Sequence, residues 1–199
     1  MMSQTHILLA AALLAKPDKP LRNTAVILGA FVPDAAIYAL FAWSKLAGIN
    51  EETVWNTLYW QEPWQTYTAA GNSIPLYAVL LLIGVVLARL TPNLLRAALF
   101  LTFFSLAALL HIAGDLPVHV EDAHRHFWPL SDWKFISPVS YWDPQYHGRL
   151  FSFVEAGAGL LLGLILFRRF KALWVRLALA TIMLAYGAVP AYFILQLGS

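Results

Sequence analysis

The chain has 199 residues, of which 60% are hydrophobic and 12% charged, a composition far more apolar than one soluble core of this size requires. Its formal net charge is +2, and the basic residues are scattered between apolar runs, so no basic stripe of the kind that binds nucleic acid is present. With no cysteine, a disulfide framework and a thiolate zinc site are both excluded, and any metal has to be held by imidazole, carboxylate or backbone oxygen.

In chain order, the first apolar stretch covers residues 5 to 15. It lacks the basic start of a secretory signal and runs into Lys16-Pro17, a poor cleavage context, so it is expected to be retained together with His6. At about 11 residues it is too short for an ordinary span and predicts a tilted half-span, a re-entrant helix or a sixth helix inside the bundle. Longer apolar segments follow at 21 to 43, 73 to 90, 94 to 116, 150 to 167 and 172 to 197, each near the roughly 20 residues that a spanning helix needs. Pro17, Pro20, Pro92 and Pro117 fall at the predicted helix ends, where a residue without a backbone donor is tolerated. The expectation is an all-α, polytopic transmembrane bundle of five to six helices, forming a single domain over 1–199, with a long aromatic- and histidine-rich loop at 117–149. No internal repeat, low-complexity tract or linker divides it.

Lysine and arginine set the expected orientation, because cytoplasmic connections retain positive charge. Lys16, Lys19, Arg22, Arg89, Arg96, Arg168, Arg169, Lys171 and Arg176 are nine of the thirteen basic residues, and they occupy alternate connections. The other connections, 44 to 72 and 117 to 149, hold seven of the eleven acids and six tryptophans. Those two are therefore expected to face the extracytoplasmic side at headgroup level, in contact with the lipid bilayer.

Ionisable residues inside apolar spans are costly and call for partners. Asp34, His111, Asp115 and Glu155 are of this kind, and a helical rise of about 1.5 Å per residue puts all four near the outer face. If the first segment crosses, His6 arrives there too. His111 and Asp115, four apart, share one helical face and can share one ion. His119, Asp122, His124 and His126 follow within a dozen residues. Each has a plainer account when taken singly, such as a core hydrogen bond for His111 or an interfacial position for His124 and His126; taken together they predict a divalent metal. Nitrogen and oxygen ligands suit Zn²⁺, with Mn²⁺, Fe²⁺ or Ni²⁺ as alternatives. Pro33 is expected to kink its helix where Asp34 turns inward.

Around that centre, Glu155 is a candidate ligand, general base or hydrogen-bond partner of the outer loop. His124 and His126 are candidates to protonate a leaving group. Arg125 and Arg149 are candidates to hold an anionic group, with a salt bridge to Asp122 or Asp143 as the plainer account. The aromatic residues of the run from Trp128 to Asp143 read as interfacial belt and packing, against which a lipid chain can lie.

Thr5-His6, LGAFVPD at 28–34 and LLHIAGD at 109–115, followed by a loop reaching WPLS, resemble a group of bacterial membrane-bound, predicted metal-dependent hydrolases that includes a LexA-regulated inner-membrane protein. A more distant likeness is to zinc-dependent phospholipase C. The resemblance covers residues 5 to 150 and implies that His6, Asp34, His111 and Asp115 are metal ligands in a hydrolase of phosphoester-like or lipid-like substrates in the bacterial inner membrane. The sequence departs from the group at YTAAGNSIPLY, where Asn72 and Ser73 stand in place of an HRGxTHS-like stretch, so either fewer ions bind or His119, His124 and His126 supply the replacement ligands.

The function expected is that of a metal-dependent hydrolase at the outer leaflet, acting on a phospholipid or another amphiphilic phosphoester. The alternative is a non-enzymatic metal-binding membrane protein serving transport, sensing or structure. Transport is disfavoured because its sites usually lie near the midplane, and a structural site is closed where a catalytic one keeps a position for water.

Overall fold

The computed structural model describes residues 1–197, with side chains through residue 188. The first apolar stretch forms α1 (Ser3–Leu14), 12 residues long and so only about 18 Å in length. Pro20 opens α2 (Pro20–Phe31) at its first turn, where a missing backbone donor costs nothing. Pro33 then interrupts the α-helical ladder, and the chain passes through a 3₁₀ turn at Val32–Asp34 into α3 (Ala35–Leu46). Gly48, at a φ of 68°, ends α3. Its left-handed backbone lets Ile49 N–H reach the Ser44 carbonyl at 2.9 Å, the closing bond of a Schellman cap.

The connection from 44 to 72 is itself largely helical, which the sequence reading did not anticipate. Asn50 caps the short α4 (Glu51–Asn56) by accepting from Thr53 N–H at 2.7 Å, and α5 (Trp64–Gly71) follows. Asn72 and Ser73 break the chain before α6 (Ile74–Leu90), whose first turn is capped by the Ser73 hydroxyl. The remaining helices are α7 (Leu95–Asp115), α8 (Gly148–Arg169) and α9 (Leu173–Leu197). Apart from two 3₁₀ turns, residues 116–147 form an irregular loop.

All regular elements among the described residues are helical. Three stretches are long and apolar enough to cross a membrane: Pro20–Leu46, Pro92–Val118 and Gly148–Arg169. A fourth is obtained if α5 and α6, bent by 41°, count as one. One segment expected to span departs from this: α6 alone has 17 residues. Of the last expected span, Leu173–Ala188 is an apolar helix, and its remaining side chains lie outside the described residues.

α7 is the central post, packed against α1, α2 and α6, while α1 also contacts α2 and α8. Small residues permit this closeness. A Cβ on Gly29 of α2 would collide with the Phe104 carbonyl of α7, and one on Gly84 of α6 would meet Thr102 of α7. Ala10, Val26, Ala30 and Ala107 form the core between α1, α2 and α7. The short α1 is thus enclosed by other helices, so its N-terminal turn meets the C-terminal end of α7.

Candidate metal centre

Five histidine and aspartate side chains from four separate regions converge at that junction. α7 contributes His111 and Asp115, one helical turn apart, and α1 brings His6 against them. The His6 and His111 rings stack with centroids 3.6 Å apart and planes 12° from parallel. The 3₁₀ turn at Pro33 presents Asp34, whose Oδ1 lies 3.5 Å from His111 Nε2. The loop beyond α7 folds back so that His119 joins as well. Ser137 N–H and Tyr141 N–H bond the carbonyls of His119 and Val118, each at 2.9 Å, and fix the turn that carries the imidazole.

Asp115 is the hub. Its Oδ1 lies 2.9 Å from His6 Nε2 and 3.2 Å from His119 Nε2, and its Oδ2 lies 2.9 Å from His111 Nε2. The Met1 nitrogen is 2.6 Å from the same Oδ1. The second nitrogen of His119 is 2.9 Å from Asp122 Oδ2, so this ring stands between two carboxylates. Among the described residues, two trios place ligand atoms within 4.8 Å of one another: His6, His111 and Asp115, and Asp115, His119 and His124. Asp115 belongs to both.

These groups fit a cation better than they fit one another. Nε2 of His6, His111 and His119 stands at hydrogen-bond distance from a carboxylate, yet none of the three makes a directed hydrogen bond. The side chains are deeply buried, His6 and His111 at 1% exposure and Asp115 at 2%, and buried polar atoms without partners are costly. Imidazole nitrogens that crowd a carboxylate without aiming an N–H at it can also serve as ligands of a shared cation. His111 also carries the outer contact of a metal-binding histidine, its Nδ1 lying 2.7 Å from the Ala30 carbonyl, which leaves Nε2 as the ligating atom. Buried His and Asp groups that can hold a metal ion are therefore present, in a donor set without thiolate.

The loop residues differ in charge. Burial opposes protonation of His119, but the Asp115 and Asp122 carboxylates outweigh it and lift its pKa to about 9. Burial pushes His124 down to about 3, with the charge of His119 acting in the same direction. His124 is thus a neutral imidazole at pH 7, and it falls in the second trio, in line with its expected place as a replacement ligand rather than as a proton donor. His126 lies outside both trios. Burial lowers its pKa, and its Nδ1 is 3.1 Å from the Asn72 carbonyl.

Other candidates lie outside both trios. Glu155 Oε1 accepts from Met2 N–H at 2.7 Å and from the Thr5 hydroxyl at 2.6 Å, so it anchors the start of α1 and is in neither trio. The expected salt bridge of Arg125 to Asp122 or Asp143 is not formed: it bonds Glu62 and Asp132, each at 3.2 Å, and ties the 44–72 and 117–149 connections together. Arg149 is exposed in the first turn of α8.

The parts played by Ser3, Asn72 and Ser73 were not foreseen. The Ser3 hydroxyl donates to Asp34 Oδ2 and accepts from Tyr38 OH at 3.0 Å; a lone serine near the N-terminus carries no sequence signal. Asn72 and Ser73, noted only as a departure from a pattern, dock the histidine loop. Ile74 N–H bonds the His126 carbonyl at 2.8 Å and Ser73 Oγ bonds the Trp128 carbonyl at 2.5 Å. The break between α5 and α6 therefore lies against the loop that carries His124 and His126.

No protein-family model matches the chain, and no curated protein or solved structure matches it either.

Proposed function

We propose that this protein is a membrane-embedded, metal-dependent hydrolase acting on a phospholipid or another amphiphilic phosphoester at the outer face of a bacterial inner membrane. One observation carries the reading: buried imidazole nitrogens without directed partners surround Asp115, at the end of an apolar helix and beside aromatic clefts that reach Asp34 on one side and Asp122 on the other. The likeness of the His6, Asp34, His111 and Asp115 motifs to membrane-bound hydrolases points the same way. In this reading the chain crosses the bilayer five or six times. The connections rich in lysine and arginine lie in the cytoplasm, and 44–72 and 117–149 lie outside.

His6, His111 and Asp115 would hold one cation, zinc being the default for imidazole-rich sites, and Asp115, His119 and His124 would hold a second. A divalent ion supplies Lewis-acid polarisation of a phosphoryl oxygen and acidifies water near neutral pH. The protein's own groups do the rest. The Ala30 carbonyl fixes the His111 ring, Asp122 orients His119, and Asp34 and Asp122 border the clefts by which a headgroup would enter. His126, outside both trios, keeps its Nδ1 proton on the Asn72 carbonyl and, with its pKa lowered by burial, would serve as a neutral imidazole base rather than as the donor to a leaving alkoxide.

A second reading, a non-catalytic metal site that braces the outer loop, draws on the burial of the ligands, with His124 only 5% exposed. The two separate on one experiment. The protein is purified in detergent, its bound metals are quantified, and a panel of phospholipids and soluble phosphoesters is offered to it and to Asp115→Asn. The hydrolase reading expects stoichiometric metal and turnover that the variant loses by at least about 100-fold, the upper end of what even an outer-sphere change costs. Full metal occupancy with no turnover on any substrate favours the brace.

A further inference from the structure

The two clefts beside the His/Asp cluster meet at Ile37, Trp55 and Tyr141, which line both. The larger, about 670 Å³, is walled by Trp55, Tyr59, Trp60, Tyr141 and Trp142. Glu121 and Asp122 also line it, and no lysine or arginine is among its lining residues. Trp55 and Tyr59 pack edge to face with centroids 6.2 Å apart, and Tyr59 and Trp60 do so at 4.8 Å. The indole N–H groups of Trp60 and Trp142 are committed within the protein, to the Trp55 carbonyl at 2.8 Å and to Asp122 Oδ2 at 3.2 Å. Those two indoles therefore offer a ligand π surface rather than donors. Asp122 Oδ1 is buried and has no hydrogen-bond partner.

Aromatic faces carry the negative part of the ring quadrupole and attract cations, organic ammonium groups above all. Two carboxylates add to that attraction, and an anion gains nothing from these walls. An interfacial belt accounts for rings turned to lipid, but it gives no reason to gather five of them around two acids. We propose that this cleft holds the organic ammonium group of a zwitterionic phospholipid headgroup. Asp122 is separated from Asp115 by the single imidazole of His119, at 2.9 and 3.2 Å, so a headgroup seated here has its phosphate directed toward the cluster. The placement of that phosphate rests on the hydrolase reading; recognition of the ammonium group does not.

The test uses the full chain in detergent and in lipid nanodiscs. Isothermal titration with choline and with tetramethylammonium is expected to give saturable binding with or without added Zn²⁺. Binding should weaken about tenfold in Trp142→Leu and survive in Trp142→Phe, a cation–π contact being worth roughly 1 kcal/mol or more. Trp142 is 52% exposed, so the variant should fold; Trp60→Leu serves as an independent check. In the second arm, vesicles of phosphatidylcholine or phosphatidylethanolamine are expected to be hydrolysed at least about tenfold faster than phosphatidylglycerol vesicles, and Trp142→Leu should erase the difference. No saturable binding, equal binding by a folded Trp142→Leu, or a preference for phosphatidylglycerol overturns the proposal. Choline binding with no discrimination between hydrolysed vesicles overturns the lipid as its source. Ammonium binding without hydrolysis of any lipid supports the cleft and sinks only the hydrolase reading.

Discussion

His111 Nδ1 donates to the Ala30 carbonyl across 2.7 Å, and this one contact couples the packing of α2 on α7 to the orientation of the candidate metal centre. A carbonyl can only accept, so Nδ1 carries the proton and Nε2 is left facing Asp115 and Asp34. The cluster therefore inherits its geometry from the way two helices approach each other.

Gly29 sets that approach. A methyl group there would run into the Phe104 carbonyl of α7, and backbone cannot swing aside as a side chain can. Gly29→Ala is expected to lower stability by about 1–3 kcal/mol, the usual cost of overpacking, and to weaken metal binding by moving Ala30. Thermal unfolding in detergent and equilibrium dialysis against Zn²⁺ measure the two effects; unchanged values for both would refute the coupling.

Asp115 is shared by both trios, so Asp115→Asn should affect both. An amide keeps the shape but offers one oxygen and no negative charge. Zn²⁺ affinity is expected to fall by at least about 100-fold, more than outer-sphere substitutions cost, while helix content by circular dichroism stays the same. Substituting Arg125, which binds Glu62 and Asp132 at the surface, is expected to leave zinc stoichiometry intact.

Glu155 should behave as a positioning residue. It is 2% exposed and holds the first turn of α1 through Met2 N–H and Thr5, next to His6. Glu155→Gln keeps an acceptor oxygen and is expected to retain metal. Glu155→Leu strands a buried donor at a cost of about 1–3 kcal/mol and should reduce the zinc bound per chain. Equal metal content in the two variants would remove this role.

The metal-stripped protein should show a pH dependence to which His119 contributes. Its pKa is raised from 6.5 to about 9 by Asp115 and Asp122 against the effect of burial. A raised folded-state pKa means that the stabilisation is fully present below about pH 6.5 and is lost as pH climbs through 9. The Tm of chelator-treated protein is therefore expected to decline between pH 6.5 and 9, and Zn²⁺ should flatten the decline by taking the place of the proton. If His119→Gln declines just as steeply, another group is responsible.

The sequence by itself determined that the chain is helical and apolar, where its long apolar runs lie, and that His111 and Asp115 share a helical face. These properties are local, set by hydrophobic run length and by the 3.6-residue period, and α7 ends at Asp115 as the periodicity and Pro117 required. The helical content of 44–72 was hidden because α4 and α5 are short and lack a long apolar signal. Tertiary structure alone decided that α1 lies enclosed between α2, α7 and α8, that Glu155 serves the start of α1, and that His124 stands with Asp115 and His119 in one trio while His126 does not. An irregular loop has no repeat from which its side-chain directions can be read. Its conformation is fixed by distant partners, the Ser73 hydroxyl and Ile74 N–H at one end and the Val118 and His119 carbonyls at the other, and contacts between residues so far apart in the chain exist only once the helices have packed.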